Sequence, residues 1–504
     1  MRHATLSKRH PCCDPELFRR YDALYRGGSA FRKAIGSFLF QNPLEPAEAY
    51  QLRKREAAYR SYVGPIIDFF AAQLFSSPFL VRATRDGETQ APDPFYAELR
   101  EDVDLAGTDL VAFMKARFTT ALVKGCSWWL AELPDDGGLP AESRVDWEAR
   151  GLGRVRLCPL EPEDVLDWEC DDDGLLWVIT HKREMRRDDP RTERAVVTET
   201  WRIFDREAVE TFQVKYDPKQ RKLNPEDEIP SLGAVPHRFT RVPVVCMRLP
   251  EGLWLMNRAA DAQIEHFRLS AAMGWAIKRT CYPMAVFKSK DPEKPPVTGA
   301  GYLQMISTEE SFEWVSPSTA SFDILQNEVA AQKDEIYRIA QQIAASVNNS
   351  AAALTRSGES KQADMAATEI CLHAYATEVK EAIEETFELI SDGRGDFDVT
   401  FSIEGMDKFN LDAVTVTLTN IQTAKTLGIP SPTLHRELGM KAADLLLPNA
   451  SQEVKDLIRE EIENAEVQTS HPTPSTETDE EQSSDDASED AQSSRPNGSD
   501  PSLN

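Results

Sequence analysis

No run of apolar residues in this 504-residue sequence reaches the roughly 18–20 needed to cross a bilayer. The most hydrophobic helical stretch, Leu253 to Ile277, is broken by Arg258, Asp261, Glu265 and Arg268, which excludes a lipid-embedded helix there. Met1 to His10 carries basic residues without an apolar segment, so no secretory signal is expected. Cysteine is scarce: eight residues without regular spacing, Cys12 and Cys13 adjacent, make neither a disulfide framework nor a zinc pattern. They are expected as reduced thiols in a cytosolic product. Positive charge is short too, with 57 Lys and Arg against 84 Asp and Glu, a formal net charge of -27. Affinity for a phosphate backbone comes largely from cations displacing counterions, so a tight, static grip on nucleic acid is excluded. Nine acidic residues and one arginine from Val467 onward account for part of that charge, and the rest of the chain is still at -19.

Catalytic signatures are missing as well. The chain has no GxxxxGKS/T loop, GxGxxG after a strand, HExxH, CxxC or GxSxG elbow. Its eight histidines are scattered without partners at ligand spacing, and His266 and His373 are expected to pack on helices. Asp171, Asp172 and Asp173 invite a metal, as in a metal-dependent nuclease. A calcium loop, however, needs acidic ligands at alternate positions and a distal Glu, so DDDG reads as a solvated turn. No catalytic residue, metal ligand or cofactor is assigned, and the expectation is a non-enzymatic assembly subunit.

What is present is periodicity. Glu45 to Ser77 reads as helix, with Pro65 expected to break or kink it. Asp109 to Val123 repeats Leu110, Phe113, Met114, Phe118 and Leu122 at helical spacing, then passes Gly125 into a strand, GCSWWLAELP, whose Trp128 and Trp129 are expected to pack. From Val155 to Val214 the period is two, with DDDG between segments, which predicts an antiparallel meander.

Leu253, Met256, Ala260, Ile264, Phe267 and Ala271 then form one stripe of a long helix, and Arg258, Asp261, Glu265 and Arg268 form another. A Pro-, Lys- and Gly-rich stretch with short strand-like pieces follows, and a second long helix starts near Asp323 with Leu325, Val329, Ile336, Ile339, Ile343 and Val347 on one face. SVNNSAAALTRSGESK, Ser346 to Lys361, reads as a loop; a third long helix covers Asp364 to Ile390; DVTFSIEGM is a strand. Asn410 to Glu466 reads as several helices, and the Ser-, Asp- and Glu-rich remainder is expected to be disordered.

This order of parts resembles the portal proteins of tailed bacteriophages over nearly all of Glu45 to Glu466. The resemblance is carried by YVGPIIDFFAAQLF, ALVKGCSWWLAELP, the RVPVV strand before a long helix, LWLMNRAADAQIEHFRLSAAMGWAIKRTCYPMAVF, and TRSGESKQAD before the third helix. It implies an α+β, mainly helical portal fold with a β-rich wing region. The chain would divide into an N-terminal segment (1–44), wing (45–250), stem helices (251–280 and 322–346), clip (281–321), channel loop (347–361), long wing helix and strand (362–409), crown (410–466) and disordered acidic tail (467–504).

The resemblance further implies a homo-oligomeric ring, usually a dodecamer, at one capsid vertex of the virion, assembled in the host cytoplasm. Double-stranded DNA would pass through it without sequence-specific contacts during packaging and ejection. The terminase large subunit motor, the major capsid protein and scaffold, and the head-tail adaptor would be its partners, with no membrane. Carried onto this chain, the channel loop would offer Asn348, Asn349, Thr355, Arg356 and Lys361 to DNA. Stem packing would fall to Ile264, Phe267, Ile336 and Ile339, and the stem's polar stripe to Arg258, Asp261, Glu265 and Arg268. Another ring-forming head-tail connector is the nearer alternative; it would lack the helix, clip, helix insertion.

Overall fold

The computed structural model describes residues 1–76, 79–85, 94–134, 141–187, 191, 195–219, 222–280, 284–288, 311–315, 320–346, 358–407, 409, 421–424, 426–427, 431–446 and 452–464. Its first 44 residues, which the sequence pattern left as a bare segment, are built into the core. After a short helix α1 (His3–Leu6), the Asp14 side chain accepts from the Glu16 and Leu17 amides, and Pro15 opens α2 (Pro15–Arg26) where a missing N–H costs nothing. In α3 (Gly28–Ala34), Phe31 is buried and stacks with Phe38, 4.9 Å between ring centres.

The long helical pattern of Glu45 to Ser77 divides into α4 (Ala47–Glu56) and α5 (Val63–Leu74). The break falls at 57–62, before Pro65. Proline therefore sits in the first turn of α5, where its N–H would have no intrahelical acceptor, and it bends nothing. Two elements follow, β1 (Phe79–Arg85) and α6 (Pro94–Glu101).

Asp109 caps α7 (Leu110–Lys124), and Gly125 ends it at φ 81°, a left-handed conformation. A side chain there would also begin 2.8 Å from the Trp254 ring, so only glycine fits the turn into β2 (Cys126–Glu132). After α8 (Arg144–Ala149), β3 (Arg156–Leu160) pairs with one edge of β2, and β9 (Val244–Arg248) pairs with the other. Successive side chains of a strand point to opposite faces. Trp129 accordingly enters the main helical core, while Trp128 packs with Trp168 in a second core.

Most of the period-two region forms the expected meander, β4 (Val165–Asp171), β5 (Gly174–Arg186), β6 (Val196–Phe204) and β7 (Ala208–Tyr216), extended beyond Val214 by β8 (Ser231–Pro236), all antiparallel neighbours, whereas β3, at the start of that region, belongs to the β2 sheet. DDDG is its first turn: Asp171 pairs with Gly174, and its carboxylate accepts from Arg206 at 2.5 Å. Residues 1–13 run along this sheet. Leu6 is buried with Trp201 and Phe212, and His10 stacks on Trp168 with 3.9 Å between rings.

The remaining elements are α9 (Leu255–Thr280), a hairpin of β10 (Met284–Lys288) and β11 (Ser311–Val315), α10 (Ala320–Ser346), α11 (Gly358–Arg394) and β12 (Val399–Gly405). β12 pairs with β1 across more than 300 residues of sequence. α11 starts at Gly358, so residues 358–361 are helix and not part of a loop ending at Lys361.

The end of α11 is clamped: the buried Arg394 donates to Asp396 at 3.1 Å and to the Gly153 carbonyl at 2.8 Å, and its guanidinium lies 3.4 Å from the centre of the Phe95 ring. The chain up to Leu411 is one compact unit. In the second unit, helices Pro432–Leu446 and Gln452–Asn464 pack on each other, with Ile462 3.7 Å from where a side chain at Gly439 would begin. Among the described residues no helix is long and apolar enough to cross a membrane.

Candidate assembly module: two long helices joined through a hairpin

α9 and α10 lie against one another and are joined through the β10–β11 hairpin. At 1.5 Å per residue each helix is about 40 Å long. Their burial is unequal. From Leu255 to Ala271, α9 is held in the core by Leu255, Met256, Ala259, Ala260, Ile264 and Phe267. Past Ala271 none of its described side chains is buried, and Ile277 is 39% exposed.

Of α10, only Ile336 and Ala340 are buried among the side chains described from 322 to 340. Phe322, Leu325, Val329, Gln332 and Ile339 are half-buried, and together with Ile336 they recur at alternating spacings of three and four. That is the narrow seam of a helix pair, which leaves the rest of the helix open. Ile324, outside the seam, is 65% exposed.

Ile264, Phe267 and Ile336 share one core cluster, and Ile339 packs against it. Phe267 meets Phe31 edge-on at 4.8 Å and Tyr59 at 5.9 Å, both in its own chain. The apolar stripe of α9 is therefore consumed inside the subunit at this level and is not offered to a neighbour. In the polar stripe, Arg258 and Asp261 are exposed, whereas Glu265 and Arg268 are half-buried. Arg268 donates to the Phe38 carbonyl at 3.0 Å, sits 5.0 Å from the Phe40 ring centre and lies 3.7 Å from Glu265. It ties α9 to the N-terminal region and does not point freely outward. Asn348, Asn349, Thr355 and Arg356 lie outside the described residues, and Lys361 lies in the first turn of α11.

Two residues at the root of the module carry no motif. Gln263 is fully buried; its side-chain oxygen accepts from the amides of Tyr62 at 2.8 Å and Val63 at 3.3 Å, and its amide donates to the Arg60 carbonyl at 3.0 Å. It thereby satisfies the start of α5 from another helix. The only sequence signal was a glutamine beside an apolar stripe. His266 is 3% exposed, edge-on to Tyr62 at 4.8 Å, and its Nδ1 has no hydrogen-bond partner among the described residues. His373, by contrast, is exposed and touches Phe409 edge-on.

Burial first, then the cations Arg60 and Lys333, push the His266 pKa below its ordinary value. A histidine kept neutral in the fold takes up its proton preferentially on unfolding. Stability is therefore expected to fall as pH drops below about 6.5, the unfolded-state value. His266→Phe should flatten that slope in denaturant midpoints measured between pH 5 and 7.5; an unchanged slope would assign it to other groups.

Among the described residues no group of three or more His, Cys, Asp or Glu is arranged to hold a metal ion. The seven cysteines described are free.

A family model for a domain of unknown function, DUF4055, matches residues 256–392, which covers α9, the hairpin, α10 and nearly all of α11. No curated protein matches the chain. Among solved structures, the chain is similar to one in the neck of an empty GTA particle computed with C6 symmetry, at 13% identity and TM-score 0.39, covering 84% of this chain and 97% of that one. It is also similar to a chain in the virion of a native gene transfer agent (GTA) particle, at 14% identity and TM-score 0.40, covering 82% and 99%. A third is a chain in the neck of a native GTA particle computed with C12 symmetry, at 13% and 0.39, covering 75% and 91%.

Proposed function

We propose that this chain is a structural subunit that acts by assembling with copies of itself into a ring. Within that class, the resemblance of its parts in order to tailed-phage portal proteins points to the portal itself. In this reading the ring sits at the capsid vertex, passes double-stranded DNA, and receives first the terminase motor and then the head-tail adaptor. The observation that carries the reading is the helix, hairpin, helix module, whose second helix buries one seam and leaves Ile324 and most of the described surface away from that seam exposed in the subunit. A 27-residue helix of this kind is poorly stabilised alone, because most helical stability comes from tertiary packing. Neighbouring copies in a cyclic ring would supply that packing.

The acidic chain suits a conduit, since like charge keeps phosphates from sticking to the wall. We propose no chemistry for the subunit. Asp171, the first of the candidate nuclease carboxylates, is occupied by Arg206 in a hairpin turn.

Negative-stain microscopy of the purified protein tests the class: discrete rings with a central hole are expected, and a field of monomers would sink the proposal. For the portal role, deleting Asn348 to Leu354 is expected to leave rings intact and to lower DNA packaged by purified motor and proheads. Normal packaging by that deletion would remove the assignment of the channel loop to DNA.

A further inference from the structure

We infer that the loop at residues 38–46 of one copy seats in an apolar groove between α5, α10 and α11 of the next; this rests on the ring reading and adds a contact that closes the ring. The loop is built to hold its shape. Arg53, 9% exposed, donates to the Glu45 carboxylate at 2.8 and 2.6 Å and to the Phe40 carbonyl at 2.7 Å. Gln41 donates to the Glu45 carbonyl at 2.7 Å, the Asn42 amide donates to the Glu45 carboxylate at 3.1 Å, and Tyr50 donates to the Leu39 carbonyl at 2.8 Å. Phe38 and Leu39 anchor the loop in the core. Held on this frame, Phe40 is 61% and Leu44 97% exposed. An apolar pair fixed in place loses little entropy on binding, which is what a recognition knob requires.

The groove is its counterpart, a cavity of about 280 Å³ lined by Pro65, Ile66, Phe69, Phe70, Tyr337 and Ala340. Phe69 and Tyr337 are each 44% exposed. Loop and groove lie on opposite flanks of α9. Arg268 reaches the loop, through the Phe38 carbonyl and the Phe40 ring, while His266 turns to Tyr62, whose ring is 6.1 Å from that of Tyr337 in the groove. Two residues along a helix are about 200° apart around it. Two different patches on opposite flanks are what a head-to-tail ring contact needs, whereas a two-fold dimer would need one patch to match itself.

The loop side is basic on a chain that is acidic overall. On the loop side, Glu45 is paired with Arg53 and Glu56 with Lys278, which leaves Arg32, Lys33, Lys54 and Arg55 against Glu48. On the groove side Glu335 pairs with Arg338, and Asp334 and Glu369, near groove residues in sequence, balance Arg60 and Lys333 on a chain whose formal net charge is -27. A basic patch on an acidic chain favours the approach of another copy.

The test uses full-length protein. Because Leu44 and Phe69 are partly or wholly exposed, Leu44→Asp and Phe69→Asp should melt like the parent protein yet show at least a tenfold loss of rings in sedimentation. With the exposed Cys12 and Cys170 replaced by serine, Leu44→Cys and Phe69→Cys variants, mixed and oxidised, should give a covalent dimer that neither gives alone, and the variant with both new cysteines should give a ladder. Parent rings with normal rings from both aspartate variants and no mixed dimer would overturn this contact and leave the ring reading standing. Absence of rings from the parent protein would overturn both.

Discussion

Replacing Phe267 by aspartate is expected to unfold the subunit, not merely to loosen an assembly. The ring is 1% exposed and wedged against Phe31 and Tyr59. Removing a buried phenylalanine side chain alone costs about 3–5 kcal/mol, and an unpaired carboxylate in its place adds a desolvation penalty. Together these approach the whole stability of an ordinary domain, about 5–15 kcal/mol. Circular dichroism should show loss of cooperative melting. Ile324→Asp is the contrasting case: at 65% exposure it should change the melting of the subunit by no more than about 0.5 kcal/mol, so any loss of rings there reports on neighbours. Ile339, half-buried in the seam, should fall between the two. A Phe267→Asp protein that melts like the parent would show that the α9 stripe is not part of the subunit core.

Lys124→Met is expected to cost about 3 kcal/mol at neutral pH, because removing one partner of a buried ion pair strands the other. Lys124 is 6% exposed, and its ammonium lies 2.8 Å from Glu161 and 2.7 Å from Glu163. Glu161 is half exposed, so solvent screens that half of the triad, and the figure stays at the lower end of the range.

The pH dependence has a definite sign. Burial opposes the Glu161 carboxylate, but hydrogen bonding and charge from Lys124, helped by Arg117, hold its pKa below the ordinary range. That contribution is present above the unfolded value, about 4.3, and is lost as pH falls through the lower folded value. Asp164 runs the other way, raised to about 6 by burial, then by Glu163 and Glu161, so its strain is relieved as pH falls below 6. Without Lys124 the carboxylates should protonate more readily. The deficit of the methionine variant should therefore shrink between pH 7 and pH 4.5 in denaturant titrations. A deficit constant with pH would mean that the lysine acts only through its packing.

Much of the architecture follows from local rules. Asp109 and Gly125 bracket a helix because one side chain caps its start and the other residue accepts a positive φ at its end. The meander follows from a period of two with turn residues between strands, and the long helices from a period near 3.6. Local rules failed where polar and aromatic residues without a pattern acquire their role from distant partners. Residues 1–44 gave no assignment, yet Phe31 packs with Phe38 and with Phe267, more than 200 residues on.

For the candidate site, the sequence by itself determined that two long helices flank a short β-containing insert, and which of their residues are apolar. Periodicity identifies a face but not what covers it. Only the tertiary structure decided that the α9 stripe is spent on its own subunit while α10 keeps one narrow seam, that Gln263 and Arg268 tie α9 to α5 and to residues 38–40, and that Leu44 stands in solvent. Those outcomes depend on burial and on hydrogen bonds between residues 200 or more positions apart, which no local pattern encodes.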